Sequence, residues 1–184
     1  MGSSADEHRR IAGEFTKTVE YTDPAAWDSP APPAGWVARD IVRHLVEWFP
    51  AFLQGAIGVT LPAGPSVDDD PLGAWRSQTA AVQSLLDDPA SADRVHDFPH
   101  IGTMSLGQAI GMIYTGDVFL HRWDLARATG QDETLDPVKC AEMLAGMRPM
   151  EDAMRQSGHY GPRVDAPADA DVQTQLLTFI GRTP

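Results

Sequence analysis

The chain has 184 residues, 42% of them of hydrophobic type and 22% charged, with a formal net charge of −12 and a single cysteine, Cys140. That length suits one domain, residues 1–184, able to bury roughly 70% of its unfolded surface, and the lone cysteine excludes an intramolecular disulfide framework. The acidic balance disfavours nucleic acid as a partner, no run approaches the ~20 apolar residues of a membrane helix, and the opening MGSSADEHRR carries no apolar stretch of the secretory kind, so a cytoplasmic protein is expected.

In chain order the pattern is helical. Ile11, Phe15 and Val19 form an i, i+4, i+8 stripe that predicts a helix over residues 5–21, closed by Asp23-Pro24. The segment DSPAPPAG, residues 28–35, holds the chain extended up to Trp36. A second helix is predicted over 37–57, with Ile41, His44, Leu45, Trp48 and Phe52 inward and Pro50 bending it. Asp70-Pro71 is a cap followed by proline at the first helical position, and it starts a third helix with Leu72, Trp75, Thr79 and Val82 inward. Residues 89–104 read as irregular or briefly extended.

Ser105 and Gln108 then supply a capping box for one long helix that Gly130 stops. Asp136-Pro137 caps a fifth helix, whose Met143, Leu144, Met147, Met150 and Met154 read as fillers of core gaps. Gly158 ends it. A Gly/Pro/Asp-rich loop, 159–169, precedes a short closing helix over 172–180. The expected fold is therefore all-α, an up-and-down bundle of four main helices with short additional ones.

Within the long helix, Asp117 and His121 stand four residues apart, which puts a carboxylate and an imidazole on one face with Cβ atoms roughly 5–6 Å apart. Metal bonds of about 2.0–2.2 Å fit that gap, but two ligands on one helix make half a site. His44 of the second helix is the candidate third ligand. The plainer readings are an ordinary i, i+4 pair, with Arg122 or Arg127 neutralising the carboxylate, and a satisfied core histidine at 44. Against them, a buried polar group without a partner costs about 1–3 kcal/mol, and a shared metal satisfies all three at once.

The run HRWDLARATG at 121–130, preceded by Asp117 and, far upstream, by Trp36 and RDIVRHL at 39–45, resembles the metal-binding domain of the mycothiol-dependent maleylpyruvate isomerase family. That family lies within the DinB-like four-helix-bundle superfamily. The segments VDAPADA at 164–170 and QLLTFIGRTP at 175–184 are similar to the ends of compact actinobacterial members, so the resemblance spans nearly the whole chain. It implies that His44, Asp117 and His121 hold a divalent metal, usually zinc. The chain departs from the isomerase in carrying Asp117 where a glutamate is found, and 184 residues leave no room for the isomerase's further carboxy-terminal domain. The metal site transfers better than the isomerase reaction.

Two imidazoles and one carboxylate leave a tetrahedral metal one open position, the pattern of catalytic zinc, although two histidines and a carboxylate also suit non-haem iron. The open position can hold water or a thiolate, and the resemblance, through mycothiol, favours the thiolate. The implied function is a metal-dependent thiol transferase or related enzyme, with a small-molecule thiol and an electrophilic substrate as partners and a homodimer left open. The alternatives are a non-catalytic metal- or small-ligand-binding bundle and a water-activating hydrolase. Asp40, four residues before His44, and Asp124, three after His121, are candidates to accept a ligand's other ring N–H; Asp40 could instead complement its helix dipole and Asp124 could pair with Arg127. Trp36, Trp48 and Tyr114 are expected beside the mouth. His8, in a charged amino-terminal run, and His96 read as weak candidates, as do His159 and His100; the last reads as a solvated loop histidine, with a place at the pocket rim as the alternative.

Overall fold

The structure, a computed structural model, describes every residue except Met1, His100, Ser157 and His159; what was expected of His100 and His159 lies outside the described residues. Within the span expected to be one domain, internal packing marks two compact units, Met1–Asp132 and Glu133–Pro184.

The first unit is built from helices α1 (Ser4–Glu20), α2 (Ala38–Ile57) and α3 (Pro71–Asp87), a single turn α4 (Pro89–Ala92), an antiparallel hairpin of β1 (Val95–Phe98) and β2 (Gly102–Ser105), and a long helix. That helix has three continuous parts: α5 (Leu106–Ala109), a π-helical turn (Ile110–Thr115) and α6 (Gly116–Thr129). Its start is the capping box expected from sequence, with the Gln108 side chain accepting from the Ser105 N–H at 3.0 Å and the Ser105 hydroxyl accepting from the Gln108 N–H at 3.2 Å. Its end is Gly130, whose φ of +68° supplies the left-handed cap. The π-helical turn carries no sequence mark and was not expected.

Around the bundle, α1 packs on α3 and α6, and α2 packs on the same two helices from the other side. The faces that meet are the apolar stripes: Ile11, Phe15 and Val19 from α1; Ile41, Leu45, Phe49 and Leu53 from α2; Trp75, Val82 and Leu86 from α3. Each such side chain contributes about 1.5–3 kcal/mol when fully buried. On α2 Ile41 and Leu45 are buried as expected, but further along Phe49 and Leu53 take the buried positions and Trp48 and Phe52 are half-buried beside them, so the second half of the stripe lies one residue round from the expected one. The helix also continues through Pro50. Trp75 meets Phe15 edge-on at 4.6 Å and donates its indole N–H to Thr16 Oγ1 at 2.8 Å, so a fully buried ring keeps its polar atom paired. α6 is buried nearly all round, from Val118 to Ala126, which makes it the central helix of this unit.

The second unit holds α7 (Pro137–Met147), a 3-10 turn (Arg148–Met150), α8 (Glu151–Gln156) and α9 (Val172–Phe179). Pro149 breaks the fifth helix expected from sequence, because it has no N–H to continue the ladder. Its buried residues are Cys140 and Leu144; Met143, Met147 and Met154 are half-buried and Met150 is exposed, so the methionines do not fill a core. Among the described residues the chain is mostly helical with one minor hairpin, an all-α fold consistent with the DinB-like class. No helix among them is long and apolar enough to cross a membrane.

His8, a weak candidate among the charged residues of the amino-terminal run, is fully buried on α1, one turn before Ile11. Its Nδ1 lies 3.0 Å from Thr115 Oγ1 and its Nε2 3.4 Å from Thr79 Oγ1. Burial first, and then the positive charge of Arg9, push its pKa down to about 4, while Asp87 opposes them. The unfolded ring titrates near 6.5. Below that pH the unfolded chain takes up the proton first, so the His8 contribution is complete above pH 6.5 and is lost as pH falls through 4, by at most about 3 kcal/mol. Urea unfolding at pH 7 and pH 4.5 should show a smaller acid destabilisation in His8→Asn than in the parent. An identical pH dependence in the two would show that another group is responsible.

Candidate metal centre

The site is assembled by two helices. α2 presents His44 and, one turn later, Trp48; α6 presents Asp117, His121 and Asp124. The three residues expected from sequence converge: one ligand atom each from His44, Asp117 and His121 lies within 4.8 Å of the others. Asp117 Oδ2 is 3.1 Å from His44 Nε2, and Oδ1 is 3.5 Å from His121 Nε2. Tetrahedral bonds of about 2.0–2.1 Å separate ligand atoms by roughly 3.3 Å. Each Asp117 oxygen thus faces one histidine at close to that spacing.

The donor chemistry fits a cation as well as the spacing does. Asp124, 1% exposed, places Oδ2 2.9 Å from His121 Nδ1, within hydrogen-bonding distance. With the ring proton on the Nδ1 side, next to that carboxylate, the Nε2 lone pair faces Asp117, and two acceptors then confront each other unless a cation or an extra proton lies between them. Asp124 lies beside His121 Nδ1, where the expected role would place it. Asp40 is placed otherwise: it accepts the Val37 N–H at 3.0 Å at the start of α2 and pairs with Arg43, which pairs in turn with Asp68. The helix-start reading of Asp40 is the observed one.

Burial alone would raise the Asp117 pKa, yet the neighbouring His121, the His44 contact and the Trp48 N–H together hold it below the ordinary carboxylate value. The plainer reading of the sequence had Arg122 or Arg127 neutralising the carboxylate. Instead Arg122 reaches the Asp132 carbonyl at 3.5 Å, and Arg127 lies over the Trp123 ring at 5.3 Å. The triad is graded in exposure, with His121 side chain 8%, Asp117 23% and His44 30% exposed, so it opens on the His44 side.

Aromatic rings enclose the histidines. Trp36 stacks on His121 at 5.8 Å and 12° and lies 5.1 Å from His44, while Trp48 is 5.9 Å from His44. Both indoles are half-buried and flank the opening as expected. Tyr114 does not. It is fully buried, stacks on Phe49 at 4.2 Å and donates to the Leu45 carbonyl at 3.2 Å, and burial pushes its hydroxyl pKa up. His96 lies on β1 and is not among the three residues whose ligand atoms converge.

A bundle of this kind with two histidines and an aspartate that could hold a metal defines a class of helical, DinB-like metal-site proteins. The family follows from comparison: residues 8–126 match the model of the mycothiol maleylpyruvate isomerase N-terminal domain, and the chain belongs to that family. The match contains the whole triad. Two proteins of Mycobacterium tuberculosis, Rv0738 of strain H37Rv and MT0763 of strain CDC 1551, both described as uncharacterized, are each 26% identical to it over 182 residues, covering 96% of this chain and 96% of theirs. No solved structure matches the chain.

If the triad holds the ion, His44→Ala, Asp117→Ala and His121→Ala should each drop metal content after loading from close to one ion per chain to a small fraction, as read by elemental analysis. Near-full occupancy in all three would refute the ligand set. Chelation of the parent should lower Tm while leaving the helical circular dichroism in place. Zinc fingers differ, because about 10–16 kcal/mol of binding energy holds their fold, whereas here the bundle has its own apolar core. Loss of the helical signal on chelation would overturn that expectation.

Proposed function

We propose that the chain is a metal-dependent enzyme of the mycothiol-dependent isomerase or thiol-transferase type, with His44, Asp117 and His121 as ligands of a divalent ion. The partners in this reading are a small-molecule thiol and an electrophilic substrate. The observation that carries it is the half-open triad: two imidazole nitrogens and one carboxylate converge from two helices, and one side faces solvent. Family membership joins this domain type to mycothiol by name. An ion bound there, zinc being the first choice for such a donor set, would lower the pKa of a thiol at its remaining position and so supply a nucleophile at neutral pH.

The rest falls to the protein's own side chains. Asp124 fixes the His121 ring and raises its basicity through Nδ1. His121, nearly buried, anchors the site in the bundle, and the more exposed His44 stands at the entrance. Trp36 and Trp48 wall the opening with apolar surface, which limits water beside the reacting sulfur.

Replacing the native ion with cobalt makes the reading visible. Titrating mycothiol into the cobalt-loaded protein should raise a near-ultraviolet thiolate-to-cobalt band that glutathione raises less and that His121→Ala abolishes. Absence of the band, together with no thiol-dependent conjugation across a panel of electrophiles, would reject the thiol reading.

A further inference from the structure

Trp48 touches the triad in a way that the ligand set does not account for. It follows His44 by one helical turn, and the two rings lie at 28° to one another. Phe49, Phe52 and Tyr114 pack around the indole at centroid distances of 5.4, 6.2 and 6.0 Å, so its plane has little freedom. From that fixed plane the Nε1–H donates to Asp117 Oδ2 at 3.0 Å. The same oxygen lies 3.1 Å from His44 Nε2, while Oδ1 is the one turned towards His121 Nε2 at 3.5 Å.

An aspartate carboxylate turns about a torsion that is broad and roughly two-fold. Nothing in Asp117 itself holds one oxygen on each histidine. The indole N–H, packed in place beside Oδ2, is positioned to do so. Resting on the reading that the triad holds a metal, we propose that Trp48 is a positioning residue: its N–H engages Oδ2 and fixes the carboxylate plane of Asp117, so that one oxygen is turned to each histidine of the ligand set. An aspartate suits this arrangement because its carboxylate sits at the level of the indole N–H; a glutamate would carry the carboxylate one methylene further from its helix.

The test is a double-mutant cycle on the full chain, with Trp48→Phe, Asp117→Glu and the double variant. Cobalt and zinc affinities are measured by competition with a chromophoric chelator, the visible cobalt spectrum is recorded, and circular dichroism reports the fold. Trp48→Phe should keep one cobalt per chain but bind it about 10–100-fold more weakly, the range for loss of a ligand's supporting hydrogen bond. Its d–d bands should also shift as the freed carboxylate turns among the ligands. In the Asp117→Glu background the same change should alter affinity by no more than about twofold, the scatter of independent sites.

An unchanged affinity and spectrum in Trp48→Phe would overturn the proposal, as would an equal loss in both backgrounds, which would make the ring a packing element only. Should Trp48→Phe not fold, benzothienylalanine at position 48, which keeps the ring outline without the N–H, serves the same comparison. A parent protein that binds no cobalt would remove the metal reading and this proposal together. A defect confined to the position-48 variants leaves the metal reading intact.

Discussion

A carboxylate set into the wall of an apolar bundle must be compensated, and much of the arrangement around α6 answers that requirement. Isolated charges in such surroundings cost several kcal/mol, so the choices are neutralisation or a dense set of partners. Asp117 takes the second course. His44, His121 and Trp48 all face it, and its pKa stays low despite burial. The partners come from two helices, so the packing of α2 on α6 and the electrostatics of the site are one problem. Asp124 repeats the solution two turns beyond Asp117, where a nearly inaccessible carboxylate is placed against His121.

The sequence showed the ligands because ligand chemistry is carried by rare residue types at helical spacing. His44, Asp117 and His121 could be picked out from periodicity and residue identity, and the capping signals at Ser105, Asp70 and Asp136 marked helix starts that the structure contains. Trp48 was assigned to the inner stripe and to the mouth, but its hydrogen bond was not legible, because the orientation of an indole depends on the rings packed around it. The three aromatics expected at the mouth divided for the same reason. Tyr114 had a backbone carbonyl within reach inside the core, and a buried hydroxyl with a partner has no need of solvent.

His8 shows a signal that was present and outweighed. It stands three residues before Ile11 and seven before Phe15, on the apolar stripe, yet the acidic and basic residues beside it gave the run a solvated character. Periodicity was the better guide than local charge. The methionines of α7 and α8 err in the opposite direction: their spacing suggested a continuous apolar face, but Pro149 divides the helix and turns that face away from a shared core.

The π-helical turn at Ile110–Thr115 bears on how this helix is to be compared with others. Each residue of an α-helix advances the face by about 100°, and a wider turn accommodates one residue more than the α-helical count. The long helix therefore carries two registers: the face that α5 sets at Ser105 and Gln108 does not run on by simple α-helical counting to Asp117 and His121. A relative lacking the extra residue would match this chain letter for letter on either side and be offset by one between. Its histidine and carboxylate would then keep the same place in the bundle under different spacing from the helix start, so homologous ligands are better aligned from Gly130 backwards than from the capping box forwards.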